Sequence, residues 1–191
     1  MARPYQIERD GKQLFVASEI GEALLGAAYL RMLNEGLLDL MFWKTPPSLR
    51  EFLNWACGRK DVVVIGGFVE DPVRGVRLAA LGWVREIQER LGRKYADTGE
   101  LVFREFQTRR ISGALVKLML DYAFQEVGVE ALYGLTPSKN IAAVRFMRHV
   151  GFQSTVEVPQ LCCLRGEICG GVVSWLTRQQ WQAARNAEVS A

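Results

Sequence analysis

The chain predicts an α/β (α+β) fold built on a largely antiparallel sheet packed with helices, and three observations lead there. Short runs rich in β-branched, leucine and aromatic residues, bounded by turn residues, recur at 13–17, 61–69, 77–87 and 98–106. Apolar residues at helical spacing fill two segments between the first two of these runs and two more after the last, at 111–127 and from Asn140 to the Gly151-Phe152 pair. Finally, Arg165-Gly166 parts two strand-like segments, 153–164 and 167–176, in the manner of a hairpin turn. The order is strand, two helices, three strands, helix, strand, helix, two strands and a short closing helix.

Each element has its own local reason. Residues 19–38 carry apolar side chains at helical spacing, interrupted by Gly26 and Gly36. Pro46-Pro47-Ser48 starts a second helix, with Ser48 as N-cap and Leu49, Phe52, Leu53 and Ala56 on one face. Val62, Val63, Val64 and Ile65 are the residues of a buried strand, and Gly66-Gly67 allows it to bend. Leu78, Leu81, Trp83 and Val84 mark the next strand, and 98–106 completes an antiparallel meander. The connector 88–97 reads equally as a short helical turn or a long hairpin loop.

Composition narrows the function classes. A chain of 191 residues with 49% hydrophobic and 24% charged residues has the makings of one globular domain, taken as 1–191, that needs neither disulfide nor metal. With 24 basic against 21 acidic side chains, the net charge of +3 is too mild to argue for nucleic acid. Glu8, Arg9 and Asp10 interrupt the N-terminal region before any apolar run, and residues 23–30 fall far below the ~20 needed to cross a bilayer. The expectation is therefore a cytoplasmic protein without a membrane partner. Cys57, Cys162, Cys163 and Cys169 form no C-x-x-C pair, and the single histidine, His149, lies far from them in sequence, so free thiols are expected and no metal site.

The most chemically suggestive stretch is Gln107-Thr108-Arg109-Arg110-Ile111-Ser112-Gly113-Ala114, between a strand and an apolar helix beginning near Ile111. A strand that opens through a small-residue turn into a helix aims N–H groups and the positive helix end at one point, where a pyrophosphate can settle. Arg109 or Arg110 adds charge, and Gly113 and Ala114 are small enough for phosphate oxygens to approach the backbone. The plainer reading of the loop alone is a surface turn with two solvated arginines.

Beyond the loop and its helix come a strand at 129–135, the turn Thr136-Pro137-Ser138-Lys139, and Asn140 opening a second helix. Arg109, Ser112, Ala114, Asn140, Ala143, Gly151 and Phe152 together resemble the acetyl-CoA-binding half of the GNAT superfamily of N-acetyltransferases. In that pattern an Arg-x-x-Gly-x-Gly/Ala loop precedes a strand, then Asn-x-x-Ala, an apolar stretch and Gly-Phe. The tail Gly171-Val172-Val173-Ser174-Trp175-Leu176 with Gln180-Trp181 is similar to the last strand and closing helix of the ribosomal-protein N-acetyltransferase branch. The specific part covers about 100–181.

The resemblance implies a GNAT-like mixed, mostly antiparallel central sheet, splayed between strands 4 and 5, with helices on both faces. It also implies acetyl-CoA as co-substrate, held by Arg109, Arg110, Ile111, Ser112, Gly113, Ala114 and Asn140, its pantetheine inserted in the splay as a pseudo-strand. The implied reaction moves acetyl to a primary amine, a protein N-terminus or a small amine, by direct attack in a ternary complex. Two departures stand out: Ser112 replaces the first loop glycine, and Met147 occupies the place of a tyrosine that serves many members as general acid. A thioether donates no proton, so the second reading is a catalytically inactive GNAT-fold CoA-binding or assembly module.

Roles within the site derive from position. Glu105, at the end of the strand that borders the thioester, is the candidate general base, with Glu100 second; the plainer reading of Glu105 is a strand residue paired with Arg104 or Arg109. Asn140 either contacts pantetheine or caps its helix, and both can hold. Ala143, Phe146, Met147 and Val150 form a core-facing stripe. Tyr29, Phe42, Trp43, Phe52 and Trp55 either pack the core or line an apolar acceptor pocket. A homodimer through the C-terminal strands, with Trp175 and Trp181 at the contact, is a further expectation.

Overall fold

The computed structural model describes residues 5–41, 45–164 and 166–189. Phe42, Trp43 and Arg165, and the side chain of Arg109, lie outside the described residues. The strand expected at 13–17 is the second arm of a hairpin: β1 (Tyr5–Arg9) and β2 (Lys12–Ala17) meet at Asp10-Gly11, both at positive φ (53° and 68°). β1 carries four exposed residues out of five, so no apolar alternation betrays it and backbone pairing with β2 defines it.

The helical pattern at 19–38 breaks where its second glycine falls. α1 (Glu22–Asn34) ends before Gly36, which takes φ 64° and lets Leu37 N–H return to Met32 O at 2.9 Å, and α2 (Leu38–Met41) is a single further turn. α3 (Leu49–Gly58) begins as its sequence requires: Ser48 N–H donates to Glu51 Oε2 at 2.8 Å while Glu51 N–H donates to Ser48 Oγ, a full capping box.

β3 (Val62–Asp71), β4 (Gly75–Arg90) and β5 (Arg93–Val102) form the meander. The connector 88–97 is neither a helical turn nor a loop; both strands run on to a tight turn at Leu91-Gly92. β5 stops at Val102 rather than at Phe106: Phe103 N–H still reaches Ala79 O (3.0 Å), the next rung toward β4, but Phe106 N–H then turns back to Phe103 O (2.8 Å) and Arg104–Phe106 winds into a 3₁₀ turn.

α4 (Arg109–Tyr122) starts earlier than the apolar pattern shows, with Thr108 as N-cap, and runs into a π turn at Ala123–Val127 that Gly128 closes at φ 77°. Then come β6 (Val129–Pro137), α5 (Ile141–His149), β7 (Gln153–Leu164), β8 (Glu167–Thr177) and α6 (Arg178–Val189). The eight strands stand in the order β1-β2-β3-β4-β5-β6-β8-β7, antiparallel except for β5 beside β6.

Glycines show which helix covers which face. A Cβ on Gly67 or Gly82 would strike Leu115 or Met119 of α4, so those positions lie under α4. Trp83, one residue on and hence on the other face, meets Trp55 of α3 edge-on at 5.9 Å between ring centres. Helices therefore cover both faces. α6 closes the α4 side: Trp181 stacks on Phe124 at 5.0 Å and donates from Nε1 to Asp121 at 2.8 Å. That packing leaves Trp181 9% exposed, while Trp175 stays partly exposed. No helix of the described residues is long and apolar enough to cross a membrane.

Candidate active site

The sheet opens where its one parallel pair gives out. β5 and β6 are in register from Lys94↔Val129 to Asp97↔Tyr133, and beyond that no pairing joins them. Each keeps its outer neighbour, Val102 opposite Ala80 of β4 and Pro137 opposite Gly171 of β8, so the inner edges of 98–102 and 134–137 face a gap. Backbone N–H and C=O groups on such edges demand partners. The gap is the floor of a cleft of about 490 Å³.

Residues at the vertex fasten β5 to its outer neighbour β4 where the opening begins. Arg85 donates to Asp97 Oδ2 at 2.6 Å across β4 and β5, one residue before the opening; burial pushes the Asp97 carboxyl up although Arg85 opposes it. Thr98 Oγ1 donates to Trp83 O at 2.8 Å. Across the gap, a Cβ on Gly134 would collide with Met147 Cε and lie 3.8 Å from Thr98 O, so glycine leaves room for both the thioether and the slot. Met147 is 4% exposed and lines the cleft, a packed wall without a proton to give.

Among the described residues one carboxylate lines the cleft, Glu100. It stands opposite Gly82, on the face of α4, where Met119 fills the space above the glycine. Burial pushes its carboxyl up to about 7, and no counter-charge among the described residues offsets it. Glu105, the sequence's first choice, lies elsewhere. Because β5 ends early, Glu105 falls in the 3₁₀ turn, 40% exposed at its side chain, where it pairs with Arg77 and, at 3.6 Å, with Arg31. Among the described side chains its partners are therefore not Arg104 but cations from β4 and α1.

That pairing belongs to a network beneath the loop leading into α4. Glu35 Oε2 accepts the Arg104 N–H at 3.0 Å and its other oxygen takes Arg31 Nε at 2.6 Å. Burial pushes the Glu35 carboxyl up, but these hydrogen bonds outweigh it and hold it below the usual carboxylate range. Arg31 also lies over the Phe103 ring at 4.1 Å, and Arg77 over Phe106 at 5.2 Å. Gln107 then reaches back to donate to Val102 O at 2.7 Å, tying the loop to the end of β5.

At the mouth of α4, Thr108 Oγ1 accepts the N–H of Ile111 at 3.3 Å, while those of Arg109 and Arg110 have no acceptor within the helix. Ser112 lines the cleft, its hydroxyl donating to Thr108 O at 2.7 Å. Ile111 and Ala114 are buried in the core, and Gly113 faces α5, where a Cβ would stand 3.9 Å from His149 Nε2. That is an ordinary contact, and residue 113 sits one turn into a helix that begins at Arg109, outside the lining of the cleft. Arg110 reaches Asp10 at 3.0 Å. Asn140 lines the cleft and does cap its helix: Oδ1 accepts Ala143 N–H at 3.3 Å, leaving Nδ2 as the donor it can turn to the cleft.

The structure thus gathers Ser112, Asn140 and Glu100 around one cleft and leaves Glu105, Arg110, Ile111, Gly113 and Ala114 outside its lining. Gln107, Trp83, Leu37, Leu40 and Gly134, also in the lining, do not stand out as site residues from the sequence. Gln107 heads the loop and could have been found there; the others are ordinary core letters until β5 and β6 part.

No protein-family model matches the sequence. Among solved structures the chain is similar to the spermidine N-acetyltransferase of Vibrio cholerae in complex with CoA and spermine, at TM-score 0.73 and 18% identity over 88% of this chain and 98% of that one. It is similar too to the ribosomal-protein-S5-alanine acetyltransferase of Vibrio fischeri, at TM-score 0.68 and 13% identity over 93% of this chain and 98% of that one. The chain has the fold of the GNAT acetyltransferases.

Proposed function

We propose that this protein is an N-acetyltransferase that carries acetyl from acetyl-CoA to a primary amine by direct attack in a ternary complex. The observation that carries the reading is the gap between β5 and β6, with its unpaired strand edges, a helix mouth at one side and a single high-pKa carboxylate in the wall. A pantetheine arm, peptide-like in its amides, satisfies such edges as an added strand. The N–H groups of Arg109 and Arg110 at the mouth of α4 are placed for an anion such as the diphosphate, and Asn140 Nδ2 for an amide oxygen.

Within that arrangement Glu100 is the general base. Attack of a neutral amine on a thioester carbonyl makes a C–N bond, breaks C–S and frees one proton from nitrogen, which Glu100, on the α4 face of the gap, takes through water. A carboxyl that titrates near 7 is well matched to this work, since enough is ionised at neutral pH and its basicity exceeds an ordinary carboxylate's. Met147 supplies no proton, so the departing thiolate is protonated from solvent. Glu105 positions the loop before α4 through Arg31 and Arg77.

Calorimetry with acetyl-CoA followed by a free-thiol release assay over a panel of amines and N-terminal peptides tests the reading. Saturable uptake with amine-dependent thiol release is expected. Tight uptake without turnover on any acceptor would instead favour the CoA-binding or assembly module.

A further inference from the structure

We infer that the acceptor is a primary amine carried on an apolar, uncharged group, and that polyamines are poor acceptors; the inference rests on the acetyl-transfer reading above. The two faces of the cleft differ. α4 and its preceding loop hold one side with Gln107 and Ser112, where the diphosphate is placed, so an acceptor enters from the side of α1, α2 and α3. The wall there is made by Leu37 and Leu40 and by Trp83, whose ring is itself backed by Trp55. All three wall residues are apolar.

A polyamine brings a second ammonium several carbons from the reacting nitrogen, and a desolvated ammonium without an anion is strongly disfavoured. Among the described residues lining the cleft the only carboxylate is Glu100, whose side chain stands on the α4 face, away from this apolar wall. Asp39 of α2, next to Leu40 in the chain, is turned to solvent, and the charged cluster at the flank of the opening offers no relief. Arg31, Arg77 and Arg104 there stand against Glu35 and Glu105, three positive charges to two negative, and both carboxylates are occupied by those arginines or by the Arg104 N–H. An arylalkyl or aliphatic carrier, by contrast, covers Trp83 and Leu40 and leaves nothing charged behind.

The test compares kcat/KM for phenethylamine, an apolar tripeptide with a free N-terminus, and spermidine, on the wild type and on Leu40→Glu. Leu40 is partly exposed, so a carboxylate there remains hydrated and the fold is kept. The wild type is expected to favour at least one of the two apolar acceptors over spermidine by about tenfold or more, the better of them telling a small amine from a peptide terminus. Leu40→Glu is expected to move that ratio toward spermidine by about threefold, the scale of an exposed ion pair. Spermidine used as well as the apolar amines by the wild type overturns the inference while leaving acetyl transfer intact. Acetyl-CoA uptake without turnover on any of the three overturns the transfer reading and this inference with it.

Discussion

Glu100 concentrates the chemistry at the scale of one side chain, and its raised pKa has two consequences of opposite sense. As base it must be ionised, so kcat/KM should climb with pH through about 7, and Glu100→Gln should lose most of the rate along with that limb of the profile. For stability, the folded chain holds a proton that the unfolded chain releases near ~4.3, so between roughly pH 4 and 7 stability falls as pH rises. Glu100→Gln should therefore raise the melting temperature at pH 8 and leave it unchanged at pH 4, a gain on the order of 2 kcal/mol at the higher pH. Thermal unfolding of both proteins at the two pH values reads it directly. The sequence put Glu105 before Glu100, whereas of the two only Glu100 lines the cleft, because strand ends are set by where the ladder stops.

Among elements, the turn joining β5 to α4 couples packing to cofactor uptake. Glu105→Gln weakens the hold of Arg31 and Arg77, and Glu35→Gln weakens the acceptor for the Arg104 N–H. Both should raise KM for acetyl-CoA several-fold, with the pH profile of kcat unchanged; a lost basic limb in Glu105→Gln would restore Glu105 as the base. The cap of α5 makes a second case. Asn140→Ala should cost ~1 kcal/mol in denaturant unfolding on capping grounds, and a fall in acetyl-CoA affinity beyond that cost would report the amide's contact with the ligand. For the diphosphate site, Ser112→Glu is the sharper probe than Gly113→Glu, since residue 112 lines the cleft and 113 packs on α5. It should abolish acetyl-CoA binding in calorimetry while circular dichroism stays native.

For the molecule as a whole, the sheet is held outside the gap so that the gap can persist. β3, β4 and β5 are locked by long antiparallel pairing on one side, and β6, β8 and β7 on the other, leaving four parallel pairs to join the halves. Away from the cleft, Trp181 binds α6 to α4 through Phe124 and Asp121. Trp181→Ala should cost ~3 kcal/mol or more in denaturant unfolding, with KM for acetyl-CoA unaltered in the protein that remains folded. An altered KM would show that α6 reaches the site through α4.

Local signals in the chain were enough for the element order from the strand at 13–17 onward, for the Ser48 and Asn140 caps, and for a helix mouth after the second half of the meander. Each of these is written in residues close in sequence: a hydroxyl or amide three places before a free N–H, apolar letters at a helical or strand period, glycine where φ turns positive. β1, the length of β4 and β5, the early end of β5 and the choice of Glu100 over Glu105 came only with the folded sheet. They depend on which distant backbone groups pair and which are left without a neighbour, and the cleft exists because β5 and β6, far apart in the chain, part after Asp97 and Tyr133.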